Sequence, residues 1–205
     1  MTDGFNVDNY GGTSKNIFSR PSGHTNLNTR IVCPFDFLGD EMKKVAIIMG
    51  SDSDLPILEK TMAVLDELGV TYETHVYSAH RTPKEAMDFT KKAAKNGFGV
   101  IICAAGMSAH LAGVVAANTI LPVIGIPCKS TVLDGMDALL STVMMPSGIP
   151  VATVAINGGA NAGLLAAEIL AVSNRDLAKR LRDKRKADTN KVLEKDQAVS
   201  AKYNK

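Results

Sequence analysis

Val45-Ala46-Ile47-Ile48-Met49, followed at once by Gly50-Ser51-Asp52-Ser53-Asp54, is the stretch that decides the fold. Five consecutive apolar residues without polar alternation suit a central strand of a parallel sheet, covered on both faces. The small polar residues after them end the strand, and residues 55–68 then carry a helical pattern. Asp54 stands where an N-cap belongs, Pro56 suits the first turn, and Gly69 suits the C′ stop.

Residues 70–77 alternate toward a second strand. Thr82-Pro83-Lys84-Glu85 then combines a capping box with proline at the first helical position, launching a helix to about residue 96 with Gly97 as its terminator. The unit recurs three more times, with strands at 99–103, 122–126 and 151–156 and helices at 108–118, 134–143 and 159–172. Five strand-then-helix units make an α/β fold with a parallel five-stranded sheet, and right-handed crossovers place helices on both faces. A charged C-terminal helix follows from residue 174 to about 194, with Leu177, Leu181 and Val192 as sparse apolar positions. Alone it is marginal, so it is expected to pack on the body or on a neighbouring subunit.

The chain divides into three segments on composition. Residues 1–41 are rich in Asn, Gly, Ser and Thr without sustained periodicity, and read as a flexible extension. They nevertheless hold Phe5, Tyr10, Phe18, Phe35 and Phe37, half of the aromatic residues, which leaves a docking arm open. A third reading takes Met42 as the natural start. Residues 42–172 form the expected α/β domain, and 173–205 a basic helix and tail. The net charge of +2 is a cancellation, because residues 173–205 hold eleven basic against five acidic side chains while 45–172 hold seven against eleven.

Several function classes are disfavoured at this level. Tryptophan is lacking and aromatics amount to 5%, so base stacking on single-stranded nucleic acid has little to work with. Acidic residues are mixed among the charges of the basic helix, which suits a solvated or intersubunit face better than nucleic acid. The apolar runs are far shorter than the roughly 20 residues a membrane helix needs. Cys33, Cys103 and Cys128 show no CxxC and no close pair, so no metal site is expected and a reducing cytoplasm is the natural compartment.

In an open parallel sheet ligands bind beyond the carboxyl ends of the strands, and three loops there are unusual. Ser51, Ser53 and Asp54 offer hydroxyls, backbone N–H groups and a carboxylate at a helix N-terminus, a favourable place for phosphate. Neither GxxxxGK[ST] nor GxGxxG is present, which weakens nucleotide-triphosphate and dinucleotide readings. Asp54 alone could be a simple cap; one carboxylate oxygen can cap while the other meets a ligand. Ser78-Ala79-His80-Arg81 pairs a group that titrates near neutrality with a fixed cation able to grip phosphate through two bonds. Arg81 is the sole arginine between Ile31 and Asn174. The third loop, residues 105–113, contains Gly106, Ser108, His110 and Leu111 among small residues that allow close approach to a ligand. Tight helix–sheet packing, with His110 buried, is the competing reading for that loop.

Gly50-Ser51-Asp52-Ser53-Asp54, Ser78-Ala79-His80-Arg81-Thr82-Pro83, Ala105-Gly106 and Ala109-His110-Leu111, in this order and spacing, resemble the bacterial N5-carboxyaminoimidazole ribonucleotide mutases of purine biosynthesis. Residues 146–151 and 161–167 add matches, and the resemblance spans about residues 43–192. It implies a flavodoxin-like three-layer αβα sandwich, a cytoplasmic homo-octamer with sites at subunit interfaces, a small ribonucleotide substrate and no cofactor. It also implies that Ser51, Ser53, Asp54, Ser78 and Arg81 hold the ribose phosphate end. His80 would be the general acid/base, with His110 a secondary positioning residue and Gly106, Ser108 and Leu111 in the substrate pocket. Relatives that carboxylate aminoimidazole ribonucleotide directly typically have Lys-Gly at Arg81-Thr82 and lack the His110 match, which favours the mutase over that alternative. A non-catalytic flavodoxin-like binding module is the alternative of a different class. Many members have Gly-Ala-Ala where this chain has Met107-Ser108-Ala109, and proline at Ala112. Met107 could line the pocket or pack beneath it.

Overall fold

The computed structural model describes residues 42–204; the readings made for residues 1–41 lie outside them. Five parallel strands alternate with helices: β1 (Lys44–Met49), α1 (Leu55–Glu67), β2 (Tyr72–Val76), α2 (Pro83–Ala93), β3 (Phe98–Gly106), α3 (Leu111–Ala116), β4 (Val123–Cys128), α4 (Met136–Val143), β5 (Ala152–Thr153) and α5 (Gly159–Ala171). A final helix, α6, spans Arg175–Tyr203. The sheet order is β2-β1-β3-β4-β5, the doubly wound flavodoxin-like arrangement that the family resemblance implies.

The two faces of β1 show why its sequence is apolar throughout. Val45, Ile47 and Met49 pack with Val100, Ile102, Ile124 and Ile126 beneath α1, α5 and α6. Ala46 and Ile48 pack with Ile101 and Cys103 against α2 and α3 on the opposite side. Period-two alternation therefore persists, but both sets of positions are buried. The first face is closed tightly. A Cβ added at Gly159 would lie 2.1 Å from the Ile57 carbonyl oxygen, and one at Gly163 would lie 2.9 Å from that of Thr61. Small residues on α5 thus let its backbone approach α1, and the Thr61 hydroxyl donates to the Gly159 carbonyl at 2.8 Å.

Element ends differ from the pattern-based expectations for identifiable reasons. Asp54 makes no side-chain cap on α1; a 3-10 turn over Asp52–Asp54 precedes that helix, and Ser51 caps the turn by accepting the Ser53 N–H. The expected Thr82 capping box is also not formed, because the Thr82 hydroxyl turns back to Ser78. Strand β3 runs to Gly106 because it stays paired with β4 as far as Cys128. Helix α3 starts only at Leu111, since Met107, at φ 54°, starts a tight turn over the residues before it. Consecutive left-handed residues Asp134 and Gly135 delay α4 to Met136. The edge strand β5 keeps two paired residues before the chain turns toward Asn157, at φ 57°.

Helix α6 extends nine residues past the expected end, to Tyr203. Asn174 caps it by accepting the Leu177 N–H at 2.9 Å, and Leu177 and Leu181 are buried in the same core layer as α1 and α5. Lys184 reaches Glu67 and Arg185 reaches Glu168, so the first half of the basic helix lies on acidic side chains of the body. Among the described residues no helix is long and apolar enough to cross a membrane.

The α1–α5 contact supplies a test. Gly159→Ala pushes a methyl group into helix backbone, and thermal or urea unfolding should show a loss of about 1–3 kcal/mol. An unchanged midpoint would mean that the two helices are not held this closely.

Candidate active site

At the carboxyl edge of the sheet, the exits of β1 to β4 surround one cavity of about 690 Å³. Strands β1 and β3 are adjacent there, yet α1 and α3 leave toward opposite faces, and the crevice opens between their exit loops. All ten residues singled out from the sequence line it.

The β1 exit contributes Ser51, Ser53 and Asp54. Ser51 accepts the Ser53 N–H and donates to Asp52, so its own loop fixes its orientation. Asp54 is one of few buried charged or polar residues, at 8% exposure. Burial raises its pKa above the ordinary value; the Cys128 thiol and the Ser51 backbone oppose this, while Asp52 adds to it. The carboxylate is thus held in a place that is costly for it unless a ligand donates hydrogen bonds to it.

The β2 exit is a self-bonded turn. Ser78 N–H donates to the Thr82 hydroxyl at 2.8 Å, while the Ser78 hydroxyl accepts the N–H groups of His80 at 3.3 Å and Arg81 at 3.2 Å. Those bonds orient two exposed side chains toward the cavity. Arg81 donates through Nη2 to the Gly50 carbonyl at 2.8 Å, joining the β2 exit to the β1 exit and leaving further N–H groups on its planar fork. His80 Nε2 lies 2.8 Å from His110 Nδ1, with the rings edge to face at 83°.

That contact decides between the two readings of the third loop. His110 is exposed and not a core residue; it occupies the N-cap position of α3 and faces the cavity. The bond requires one ring nitrogen to donate and the other to accept, so the pair shares a single hydrogen between its facing atoms. Gly106 and Ser108 line the wall, and Leu111, 2% exposed, joins the floor to the core beneath α3. Met107 lines the cavity at 65% exposure and does not pack beneath it.

The AIR carboxylase family model matches residues 44–191. The chain belongs to that family. Among similar proteins, the N5-carboxyaminoimidazole ribonucleotide mutase of Pyrococcus horikoshii is 52% identical over 155 residues, covering 76% of this chain and 88% of the relative. The mutase of Bacillus subtilis is 51% identical over 152 residues, covering 73% of this chain and 94% of the relative. The crystal structure of Treponema denticola PurE superposes with a TM-score of 0.69 at 30% identity, covering 78% of this chain and 98% of that one. The family match spans all four loops that surround the cavity.

Sequence reasoning missed the fourth wall. Lys129, Ser130 and Thr131 line the cavity at the β4 exit, as do Gly50, Ala79 and Ala105 elsewhere. Ending the fourth strand at residue 126 put Cys128 and the residues after it in an unremarkable loop. Counting β4 as one of the strands whose carboxyl ends face the ligand was the available signal. Among the described residues no group of three or more His, Cys, Asp or Glu could hold a metal ion.

The buried Asp54 carries a pH signature. Because its folded pKa is raised, the wild-type protein loses stability as pH rises from the ordinary carboxylate value of about 3.9 through the folded value. Asp54→Asn should melt higher than wild type near neutral pH, with the advantage shrinking toward acid pH. Thermal denaturation across pH checks this, and an advantage independent of pH would contradict it.

Proposed function

We propose that the protein is a mutase of de novo purine biosynthesis that converts N5-carboxyaminoimidazole ribonucleotide to 5-amino-1-(5-phosphoribosyl)imidazole-4-carboxylate. The observation that carries the reading is the His80–His110 pair at 2.8 Å, set between a phosphate-suited loop and a wall of small residues within one cavity. Membership of a family whose relatives at about half identity are named as this mutase supports it.

The roles follow from position. Ser51, Ser53, Ser78 and Arg81 converge from adjacent exits, and hold the 5′-phosphate through hydroxyls and the remaining guanidinium N–H groups. Asp54 accepts from the ribose hydroxyls, which supply the hydrogen bonds its burial calls for. Gly106, Ser108 and Leu111 bound the imidazole, and residues 42–172 form the catalytic domain. The cytoplasm and a homo-octamer with sites shared between subunits complete the reading.

His80 works in both directions of proton transfer. As an imidazolium it protonates the exocyclic nitrogen while the bond from that nitrogen to the carboxylate carbon breaks, releasing carbon dioxide and leaving the electron pair on nitrogen. Ring carbon C4 then attacks carbon dioxide, forming the carbon–carbon bond, and neutral His80 removes the C4 proton. One proton is given and one regained, so the enzyme returns to its starting state. Histidine suits this because its titration range lies near working pH. His110 holds the His80 ring by the shared hydrogen and fixes which nitrogen faces the substrate. A confined cavity keeps carbon dioxide beside C4 between the two steps.

His80→Asn should keep the fold and substrate binding while lowering kcat by about 100-fold or more, the scale of general acid–base catalysis. Near-wild-type formation of the 4-carboxylate would overturn the mechanism. Arg81→Ala should chiefly raise KM, and an unchanged KM would remove its phosphate role. Assay of aminoimidazole ribonucleotide with bicarbonate separates the mutase from a direct carboxylase, for which that substrate would be turned over faster.

A further inference from the structure

We propose that Lys129 is a substrate-binding residue that receives the carboxylate, at the side of the cavity across the sheet from Arg81. The inference rests on the functional reading above and adds a residue to its site. Arg81 and Lys129 are the two lysine or arginine side chains lining the cavity among the described residues. They stand on the exits of β2 and β4, which are separated by three strand spacings, on the order of 14 Å. The substrate carries two anionic ends, a phosphate and a carboxylate, with the reacting ring between them. Arg81, joined to Gly50 and flanked by three serines, belongs to the phosphate end. The His80–His110 pair spans from the β2 exit to the β3 exit, and Lys129 lies on the next exit beyond it.

The β4 exit is built to hold this lysine in place. Its backbone N–H donates to Asn157 Oδ1 at 2.8 Å, while the Asn157 N–H donates to the Pro127 carbonyl at 2.9 Å. Asn157 adopts φ 57°, a conformation asparagine tolerates better than most residues, and so brackets the two sides of Cys128. Next along the chain, Ser130 donates to Asp137 in the first turn of α4. With the backbone fixed, the Lys129 Nζ pairs with Asp134 at 2.9 Å, a partner that is itself 83% exposed. An exposed ion pair of this kind is weak. Asp134 is thus a counter-ion that a substrate carboxylate can displace.

This arrangement separates ligand binding from simple ion pairing. If the pair only stabilised the loop, removing either partner would have the same effect. If Lys129 binds substrate, losing the lysine weakens binding while losing its competitor Asp134 strengthens it.

The test uses the full-length enzyme. Lys129→Met should raise KM for N5-carboxyaminoimidazole ribonucleotide on the order of tenfold, the scale of one charge-assisted hydrogen bond, with a smaller change in kcat. Lys129→Arg should restore most of it, and Asp134→Asn should lower KM. Calorimetric binding of aminoimidazole ribonucleotide, which lacks the carboxylate, should be nearly unaffected by Lys129→Met, whereas binding of the 4-carboxylate product should weaken with KM. An unchanged KM, equal weakening of both nucleotides, or same-direction effects of Lys129→Met and Asp134→Asn would each overturn the assignment. Wild-type enzyme that binds aminoimidazole ribonucleotide and the 4-carboxylate but does not convert N5-carboxyaminoimidazole ribonucleotide to that 4-carboxylate would overturn the mutase reading instead, and the binding ratio would still judge Lys129.

Discussion

The pairing of β1 with β3 at the centre of the sheet is the constraint from which the rest follows. The two strands run parallel and adjacent from Lys44↔Phe98 to Met49↔Ala104, although β2 intervenes in sequence. Helix α1 must then leave toward one face and α3 toward the other, since each follows its strand by a right-handed crossover. Their exit loops diverge above the sheet, and the space between them is the cavity. No specialised cavity-forming segment is needed; the crevice is a geometric consequence of strand order.

Stability and chemistry are distributed accordingly. The interior below the cavity is packed from Ile47, Ile102, Ile124 and the small residues of α5. The carboxyl edge carries what is unfavourable. Asp54 is a buried carboxylate, and Met107, Asp134 and Asn157 are the three non-glycine residues of positive φ among those described. They lie on the connections leaving β3, β4 and β5. Of the three, Met107 lines the cavity, while Asp134 and Asn157 contact Lys129, which lines it as well.

Charge is organised in the same layered way. The body between residues 45 and 172 is acidic and the last 33 residues are basic. Docking of α6 brings Lys184 and Arg185 onto Glu67 and Glu168, while Leu177 and Leu181 provide the apolar anchor. Exposed ion pairs add little by themselves, so the leucines hold the helix and the charges set its orientation. Within the acidic body, Arg81 and Lys129 are then the cations left to meet an anionic ligand at the cavity wall.

The sequence by itself determined the alternation of five strands and helices, the serine, histidine and arginine loops, and the family. These depend on local signals: apolar runs buried on both faces, glycines with positive φ at Gly69 and Gly97, and motifs contained within single loops. It placed Asp54 and Thr82 at the N-cap positions they occupy but not the bonds of their side chains, because a side chain's hydrogen-bond partner depends on which loop folds beside it. It could not reveal that His80 and His110, thirty residues apart, share a hydrogen, nor that Asn157 braces Lys129 from the exit of the neighbouring strand β5. Such contacts join residues on separate strands, and only the order and register of those strands, set by long-range packing of the two core layers, bring them within hydrogen-bonding distance.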